Sequence, residues 1–314
     1  LTAPFDSFFV EVVYRIMPAA QILDGRKVAS ELCSQIRKRI EDHRLRFPQK
    51  SAPCLAIVQV GDNAASNTYI RHKIKVGSEV GIQTRHEKLS ASSSEAEILS
   101  CVQKLNQDSS VHGIIVQLPL DQTQKSSERW LNSLLENISP LKDADGLCTS
   151  NLGKLLAGVS SATKWTSPLP ATALGVMRLL QSYKVDLKGK RCLVIGKSRL
   201  VGNPTAQLLL QAGATVTVVH SQSGDWSDLS QKSEIIVVAA GVKGLLKAQH
   251  LKPGALIVDV GIHRTEKGLC GDVSPECYAL ASHYSPVPGG VGPLTVACLM
   301  ENLCQLWLSA PYSN

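Results

Sequence analysis

The sequence predicts an α/β protein with two α/β domains around a cleft. The second is a Rossmann-like domain with a mostly parallel sheet. Three observations carry that expectation. A chain of 314 residues is long enough for two domains, each with its own core. Apolar runs of strand length recur in the second half, each ending at or just before a glycine or polar residue: Cys192–Ile195 before Gly196, Thr215–Val219 before His220-Ser221, Glu234–Ala240 before Gly241, and Ala255–Val260 before Gly261. The first run leads through Gly196 into a helical pattern from Asn203 to Gln211. That turn points N–H groups and the positive end of a helix dipole at an anion, and glycine lets the backbone approach a pyrophosphate. The spacing Gly196-x5-Gly202 is not the strict dinucleotide fingerprint, so the turn alone would also serve as an ordinary βα connection.

Ligands of such sheets lie beyond the carboxyl ends of the strands. The second strand ends in His220-Ser221, with no acid to hold ribose hydroxyls, while Lys197 and Arg199 lie in the first loop. This favours a 2′-phosphate, hence NADP over NAD, although both cations could equally face solvent. Composition is that of a globular protein, 44% apolar and 19% charged, with no apolar run long enough to span a bilayer. The net charge of +7 is scattered, and the 4% of aromatic residues are not interleaved with basic stretches, so neither nucleic acid nor a membrane is an expected partner. The cysteine number is odd and no CxxC pair occurs, which predicts buried thiols at Cys54, Cys192 and Cys298, a reducing compartment and no metal site. A cytoplasmic location is expected, with a mitochondrial one left open. Leu1–Ile16 is apolar with Asp6, Glu11 and a single Arg15, unlike a transit peptide. It is expected to be an extension outside both domains, with Met17 as the natural start.

In the first domain, Asp24–Arg46 reads as an amphipathic helix with Val28, Leu32, Ile36 and Ile40 at helical spacing. Cys54–Val60 is a buried strand, Gly61-Asp62-Asn63 a turn, and Ala64–Val80 a helix. Tyr69 and Lys73 stand four apart on that helix and share a face just past a strand end; such a pair is also common on solvated helices. A Tyr-x3-Lys pair occurs in short-chain dehydrogenases too, but there the cofactor turn precedes it, the reverse of the order here. Ser94–Asn106 and Lys125–Asn137 read as helices. Val111–Leu118 reads as a strand with Gln117 at its carboxyl end. Asp143 and Asp145, before Gly146, suit a ligand's hydrogen-bond donors better than a metal. Trp165–Gly175 is a hinge, Ala171–Tyr183 a linking helix, and Leu294–Leu308 a closing apolar helix that returns to the first domain. The domains are thus expected at 17–164 with 292–314, and at 165–291. Between them Ser285–Pro293 holds a density of Pro and Gly that suits main chain pressed against a flat ligand, with a cis proline among the options.

Five stretches carry a family resemblance: Val60-Gly-Asp-Asn-Ala-Ala-Ser-Asn-Thr-Tyr-Ile-Arg-His-Lys73, Val116-Gln-Leu-Pro-Leu120, Lys142-Asp-Ala-Asp-Gly146, Gly196-Lys-Ser-Arg-Leu-Val-Gly-Asn-Pro204 and Pro286-Val-Pro-Gly-Gly-Val-Gly-Pro293. In this order they resemble the bifunctional methylenetetrahydrofolate dehydrogenase/methenyltetrahydrofolate cyclohydrolases, over about Ala20 to Leu308. The resemblance implies catalytic roles for Lys73, Gln117, Tyr69 and Asp145: Lys73 as the catalytic lysine held by Gln117, Tyr69 packed on the folate ring, Asp145 gripping the pterin. It implies substrate contacts also from Val116, Leu118, Pro286, Val287, Pro288, Gly289 and Gly290. Cofactor contacts are implied for Gly196, Lys197, Ser198, Val201, Gly202, Ser221, Gly241, Ile262 and Thr295, with Ser221 near the 2′-phosphate and Ile262 against the nicotinamide. The chain departs from the family pattern at Pro170-Ala-Thr-Ala173, where a cysteine and a proline are usual, at Lys197, where an arginine is usual, and at Asp121, in place of a second proline.

The implied chemistry is oxidation of 5,10-methylenetetrahydrofolate with NADP, then hydrolysis of the methenyl product to 10-formyltetrahydrofolate. Tetrahydrofolates, including polyglutamylated ones, are the implied substrates, and a homodimer the implied assembly. Two alternatives stand beside it: another NADP-dependent two-domain dehydrogenase, shikimate-dehydrogenase-like, and a non-catalytic folate-binding relative. The Pro/Gly loop speaks against the first, and the intact Tyr69, Lys73, Gln117 and Asp145 against the second.

Overall fold

The computed structural model describes residues 19–122, 127–266 and 268–310. The expected extension Leu1–Ile16 and the start of the expected helix Lys125–Asn137 lie outside these residues. The chain forms two compact units: one of Ala29–Ala171 with the chain from Val296, the other of Thr172–Thr295 with the described chain up to Val28.

Strand β1 (Gln21–Ile22) leads into helix α1 (Gly25–Arg46). The Asp24 carboxylate caps α1 by accepting from the N–H groups of Arg26 at 2.9 Å and Lys27 at 3.2 Å. His43, Arg44 and Arg46 complement the dipole in its last turn. Val28, Leu32, Ile36 and Ile40 are buried along one face. The first unit is built on a three-stranded parallel sheet in the order β3-β2-β4. The central strand β2 (Cys54–Val60) is buried almost throughout. Helix α2 (Ala64–Glu79) follows it, then edge strand β3 (Gln83–Leu89). Helix α3 (Glu95–Gln107) starts in a capping box, Ser94 with Glu97, and leads to β4 (Gly113–Val116). Helices α4 (Glu128–Glu136) and α5 (Thr149–Leu156) complete this stretch. Val58, Val60, Ile98, Val102, Ile114 and Leu134 lie in its core. The strand β3 was not expected. Its sequence, Gln-Thr-Arg-His-Glu-Lys-Leu, is polar because it lies at a sheet edge and is mostly exposed.

The second unit takes up the chain at helix α6 (Ala171–Ser182). Strand β5 (Arg191–Ile195), helix α7 (Gly202–Gln211) and strand β6 (Thr215–Val219) form the first βαβ unit. Helix α8 (Ser227–Lys232), β7 (Ile235–Val238) and β8 (Leu256–Asp259) come next. A small antiparallel hairpin, β9 (His263–Thr265) with β10 (Gly268–Cys270), precedes β11 (His283–Tyr284). The six-stranded sheet runs β1-β11-β8-β7-β5-β6, and every neighbouring pair is parallel. The inner strands β7 and β8 are wholly buried, as a sheet covered on both faces requires. The units divide after Val28, Ala171 and Thr295, where the expected division put residues 17–28 with the first domain and fell at 165 and 292. Gln21 and Ile22 fall within the expected first domain, but they pair with His283 and Tyr284 of this sheet. Two-residue strands carry no periodicity to read.

Contrary to the expectation that no apolar run reaches membrane length, helix α9 (Val291–Ser309) is long and apolar enough to cross one by length and composition, yet 72% of its most apolar stretch is buried inside the structure. From Val296 it belongs to the first unit. There the Trp307 indole donates to the Ser51 carbonyl at 2.9 Å, and Leu303 packs so close to Gly113 that a side chain would overlap it.

At the base of the first sheet, His112 Nδ1 accepts from the Cys54 N–H at 3.1 Å. Burial, with the charges of Lys50 and Lys142, pushes its pKa down to about 4. The unfolded chain therefore takes up this proton first as pH falls, and stability is lost on descending from about 6.5 towards 4. In urea unfolding at a series of pH values, His112→Asn, which keeps an acceptor but does not titrate, is expected to flatten that dependence.

Candidate active site

The first site grows from the start of α2. Gly61 adopts φ 76°, and a side chain there would overlap the Asp121 main chain. Asp121 in turn accepts from the Asp62 N–H at 3.0 Å and donates its own N–H to Val60. Asn63 caps the helix through the N–H groups of Ala65 and Ser66. So fixed, α2 buries Ser66, Ile70, Lys73 and Gly77 along one face. Tyr69, one turn before Lys73, is 39% exposed.

The Lys73 amine donates to Gln117 Oε1 at 3.0 Å. Gln117 stands one residue past β4, where its main-chain N–H donates to Val58 and its Nε2 donates to the Leu118 carbonyl at 2.7 Å. Those bonds turn the amide so that oxygen, an acceptor only, faces Lys73. Burial lowers the Lys73 pKa, and the Asp145 carboxylate opposes that fall. The Asp145 carboxyl is itself raised, first by burial and further by Asp143, with Lys73 pulling the other way.

The two acids of the 143–146 loop differ sharply. Asp143 is 1% exposed, and its Oδ2 accepts from the Cys148 N–H and from Asn151 Nδ2, both at 2.9 Å. Asn302, from α9, donates to the carbonyls of Ala144 at 2.9 Å and Leu169 at 2.8 Å. Gly146 adopts φ 69°, and a Cβ there would stand 2.5 Å from the Leu169 carbonyl carbon. The loop is thus pinned on both sides. Asp145, half-buried, makes no hydrogen bond among the described residues. Asn302 was missed from sequence; its signal was a polar pair, Glu301-Asn302, inside an apolar helical pattern. Of the other expected substrate residues, Val116 faces the core and Leu118 packs partly against it.

The second site lies at the carboxyl edge of the six-stranded sheet. Gly196 adopts φ 125°; side chains at Gly196 and Gly202 would overlap the carbonyls of Ala239 and Gly196. Ser198 Oγ accepts from the N–H groups of Val201 at 3.2 Å and Gly202 at 3.4 Å, so it closes the start of α7. Lys197 Nζ donates to Gln222 Oε1 at 3.4 Å, which ties the loop after β5 to the loop after β6, where Ser221 is exposed. Gly241 adopts φ 68° beyond β7, and Ile262 is 43% exposed beyond β8. Thr295 Oγ1 donates to Thr172 at 3.3 Å. The Pro286–Gly290 loop closes on itself through the Gly290 N–H to Pro286 at 2.7 Å, with a cis Val287–Pro288 bond. Gly25 donates to Gly289 at 2.9 Å, and only a glycine fits there against Gly290.

These features define a class: an α/β protein with a parallel dinucleotide-type sheet in one unit and a buried lysine–glutamine pair in the other. Two family models account for most of the chain. The tetrahydrofolate dehydrogenase/cyclohydrolase catalytic domain matches residues 23–145, and the NAD(P)-binding domain of the same name matches residues 170–310. The chain belongs to the tetrahydrofolate dehydrogenase/cyclohydrolase family. The bifunctional protein FolD of Synechococcus sp. (strain RCC307) is 45% identical over 293 residues, covering 93% of this chain and 96% of that one. FolD of Magnetococcus marinus is 41% identical, covering 90% and 95%. The crystal structure of the Campylobacter jejuni bifunctional enzyme FolD, a methylenetetrahydrofolate dehydrogenase/cyclohydrolase, superimposes with a TM-score of 0.85 at 39% identity, covering 92% and 99%. The Trypanosoma brucei enzyme, complexed with NADP cofactor and inhibitor, does so with 0.84 at 34%, covering 93% and 98%.

Gln117→Glu would set a negative charge beside the Lys73 amine and favour its charged form. Acylation of Lys73 by an amine-selective reagent, followed by mass spectrometry over a pH series, is expected to shift to higher pH in this variant.

Proposed function

We propose that this protein oxidises 5,10-methylenetetrahydrofolate to the methenyl form with NADP and then hydrolyses that product to 10-formyltetrahydrofolate. The observation that carries the reading is the buried Lys73 amine, held by a neutral acceptor and not by a carboxylate, in a chain of this family. Such an amine gives up its proton more readily than a solvated one, and a cationic substrate beside it disfavours the ammonium further. It can then act as general base. Water attacks the methenyl carbon, a C–O bond forms, and Lys73 takes the proton. Collapse to the formyl carbonyl breaks the bond from that carbon to N5, which is protonated as it leaves; one proton is released overall. Tyr69 supplies a ring against the folate. Asp145, with no hydrogen-bond partner among the described residues, accepts from the pterin's amino and ring N–H groups; hydrogen bonds to a charged acceptor contribute about 1.5–3 kcal/mol each.

The residues present fit a dinucleotide phosphate. Gly196 and Gly202 bring main chain close at the β5–α7 turn, and Lys197 and Ser221 lie on loops tied together by the Lys197–Gln222 bond, with no acid next to either in sequence. NADP, when bound, accepts the hydride. Lys197 would hold its 2′-phosphate with a point charge, and Ile262 would lie against the nicotinamide.

Lys73→Met is expected to keep the fold and to lower the cyclohydrolase rate on the order of 10²–10⁴-fold, together with much of the dehydrogenase rate; near-normal hydrolysis would defeat the assignment. Initial rates with methylenetetrahydrofolate should favour NADP over NAD, and Lys197→Ala should narrow that gap. A wild-type preference for NAD would remove the role given to Lys197 and Ser221.

A further inference from the structure

Beyond β7 and β8 lies a set of buried acids that the chemistry above does not use. Asp272 is fully buried, and its Oδ2 accepts from the N–H groups of Ala240 and Gly241, both at 2.8 Å. Its Oδ1 meets His263 Nε2 at 2.7 Å. Asp259, at the end of β8, accepts at Oδ1 from Gly261 and Asp272 and at Oδ2 from Val273, all at 3.0 Å. Ser285 Oγ accepts from the Asp259 N–H at 2.8 Å. The packing is too tight for side chains at Gly261 or Gly271, which would overlap Asp272 and Asp259 respectively.

The bonds converge on two things. One is the Ala239–Gly241 turn, whose first residue lies against Gly196 of the β5–α7 turn. The other is Ile262: Asp259 fixes the residue before it and Asp272 the residue after it, so an exposed apolar side chain is held at the sheet edge. In the strand order, β7 and β8 lie on the far side of β5 from β6 and its Lys197–Gln222 tie. A dinucleotide whose 2′-phosphate lies at β6 therefore extends its nicotinamide half towards β7 and β8.

We propose that Asp272 is the positioning residue for the nicotinamide half of the cofactor, acting through the Ala240–Gly241 turn and through His263 on Ile262. The proposal rests on the NADP reading above and adds a residue to it. Both Asp272 oxygens accept, and its role is one of geometry. An asparagine can reproduce that geometry, its oxygen accepting from Ala240 and Gly241 and its amide facing His263 Nε2. Alanine cannot, and leaves two buried N–H groups without an acceptor.

The test is calorimetric titration of the full chain with NADP and with adenosine 2′,5′-bisphosphate, which carries only the adenosine half. For Asp272→Ala the Kd for NADP is expected to rise roughly tenfold or more, while that for the bisphosphate stays within about twofold. Asp272→Asn should restore NADP binding to within about threefold of wild type. A purely structural role would weaken both ligands together, and that result, or unchanged NADP binding in Asp272→Ala, overturns the proposal. If Asp272→Ala does not fold, His263→Leu decides: weakened NADP binding with the bisphosphate unaffected supports the proposal, and unchanged NADP binding overturns it. Wild-type protein that binds neither ligand would instead overturn the NADP reading, a failure visible before any variant is compared.

Discussion

A lysine amine kept out of water, with no ion-pair partner among the described residues, is the constraint on which the first unit is organised. A charged amine in such a place is costly unless it is neutralised or paired. Here its hydrogen-bond partner is the Gln117 amide oxygen, and the Asp145 carboxylate acts on it through its field. The amide orientation depends on main chain: on the Leu118 carbonyl, and on β2, to which Gln117 donates. The amine depends on the buried face of α2, whose start is clamped by Asn63 and by the Gly61–Asp121 contact. Core, cap and turn thus converge on the protonation state of one group.

Buried carboxylates elsewhere do a different job. Asp259 and Asp272 spend their oxygens largely on main-chain N–H groups, and Asp143 accepts from one main-chain N–H and the Asn151 amide, which ties loops together where no regular ladder can. Burial and the neighbouring Asp272 raise the Asp259 pKa to about 6 even against its backbone donors. Buried acids with several donors rigidify a loop strongly and tolerate little change in packing, which is why glycines face them at 261 and 271. Asp145 stands apart from this pattern, an acid on a pinned loop with its own oxygens unengaged.

The parts of the fold that were legible in sequence are those with strong hydrophobic patterns. The inner strands β2, β5, β7 and β8, the helix α1 and the apolar helix α9 all announce themselves by buried runs or helical spacing. What escaped has weak patterning: the polar edge strand β3, the two-residue strands β1 and β11, and the short helices α5 and α8. Burial on one side leaves little trace in short segments, and tertiary pairing decides them. At the site, Lys73, Gln117 and Asp145 could be named from their motifs. That Asp143 and Asp145 have opposite fates could not, because the partners of Asp143 come from Cys148 and Asn151, and the loop is braced from Asn302, 158 residues away from Ala144.

The coupling between Asp145 and Lys73 gives that separation a chemical consequence. Each group's charge favours the charged form of the other, while burial disfavours both. In the ligand-free protein the Asp145 field therefore works against a neutral lysine. A ligand that donates N–H groups to Asp145 draws the carboxylate's charge towards itself and away from Lys73, and one that carries positive charge near the amine adds a second push in the same direction. A substrate with both features would lower the amine's proton affinity when it binds, as the proposed role of Lys73 requires. Had Asp145 been saturated by internal donors as Asp143 is, or had Lys73 been paired directly with it, the ligand would have had nothing left to shift.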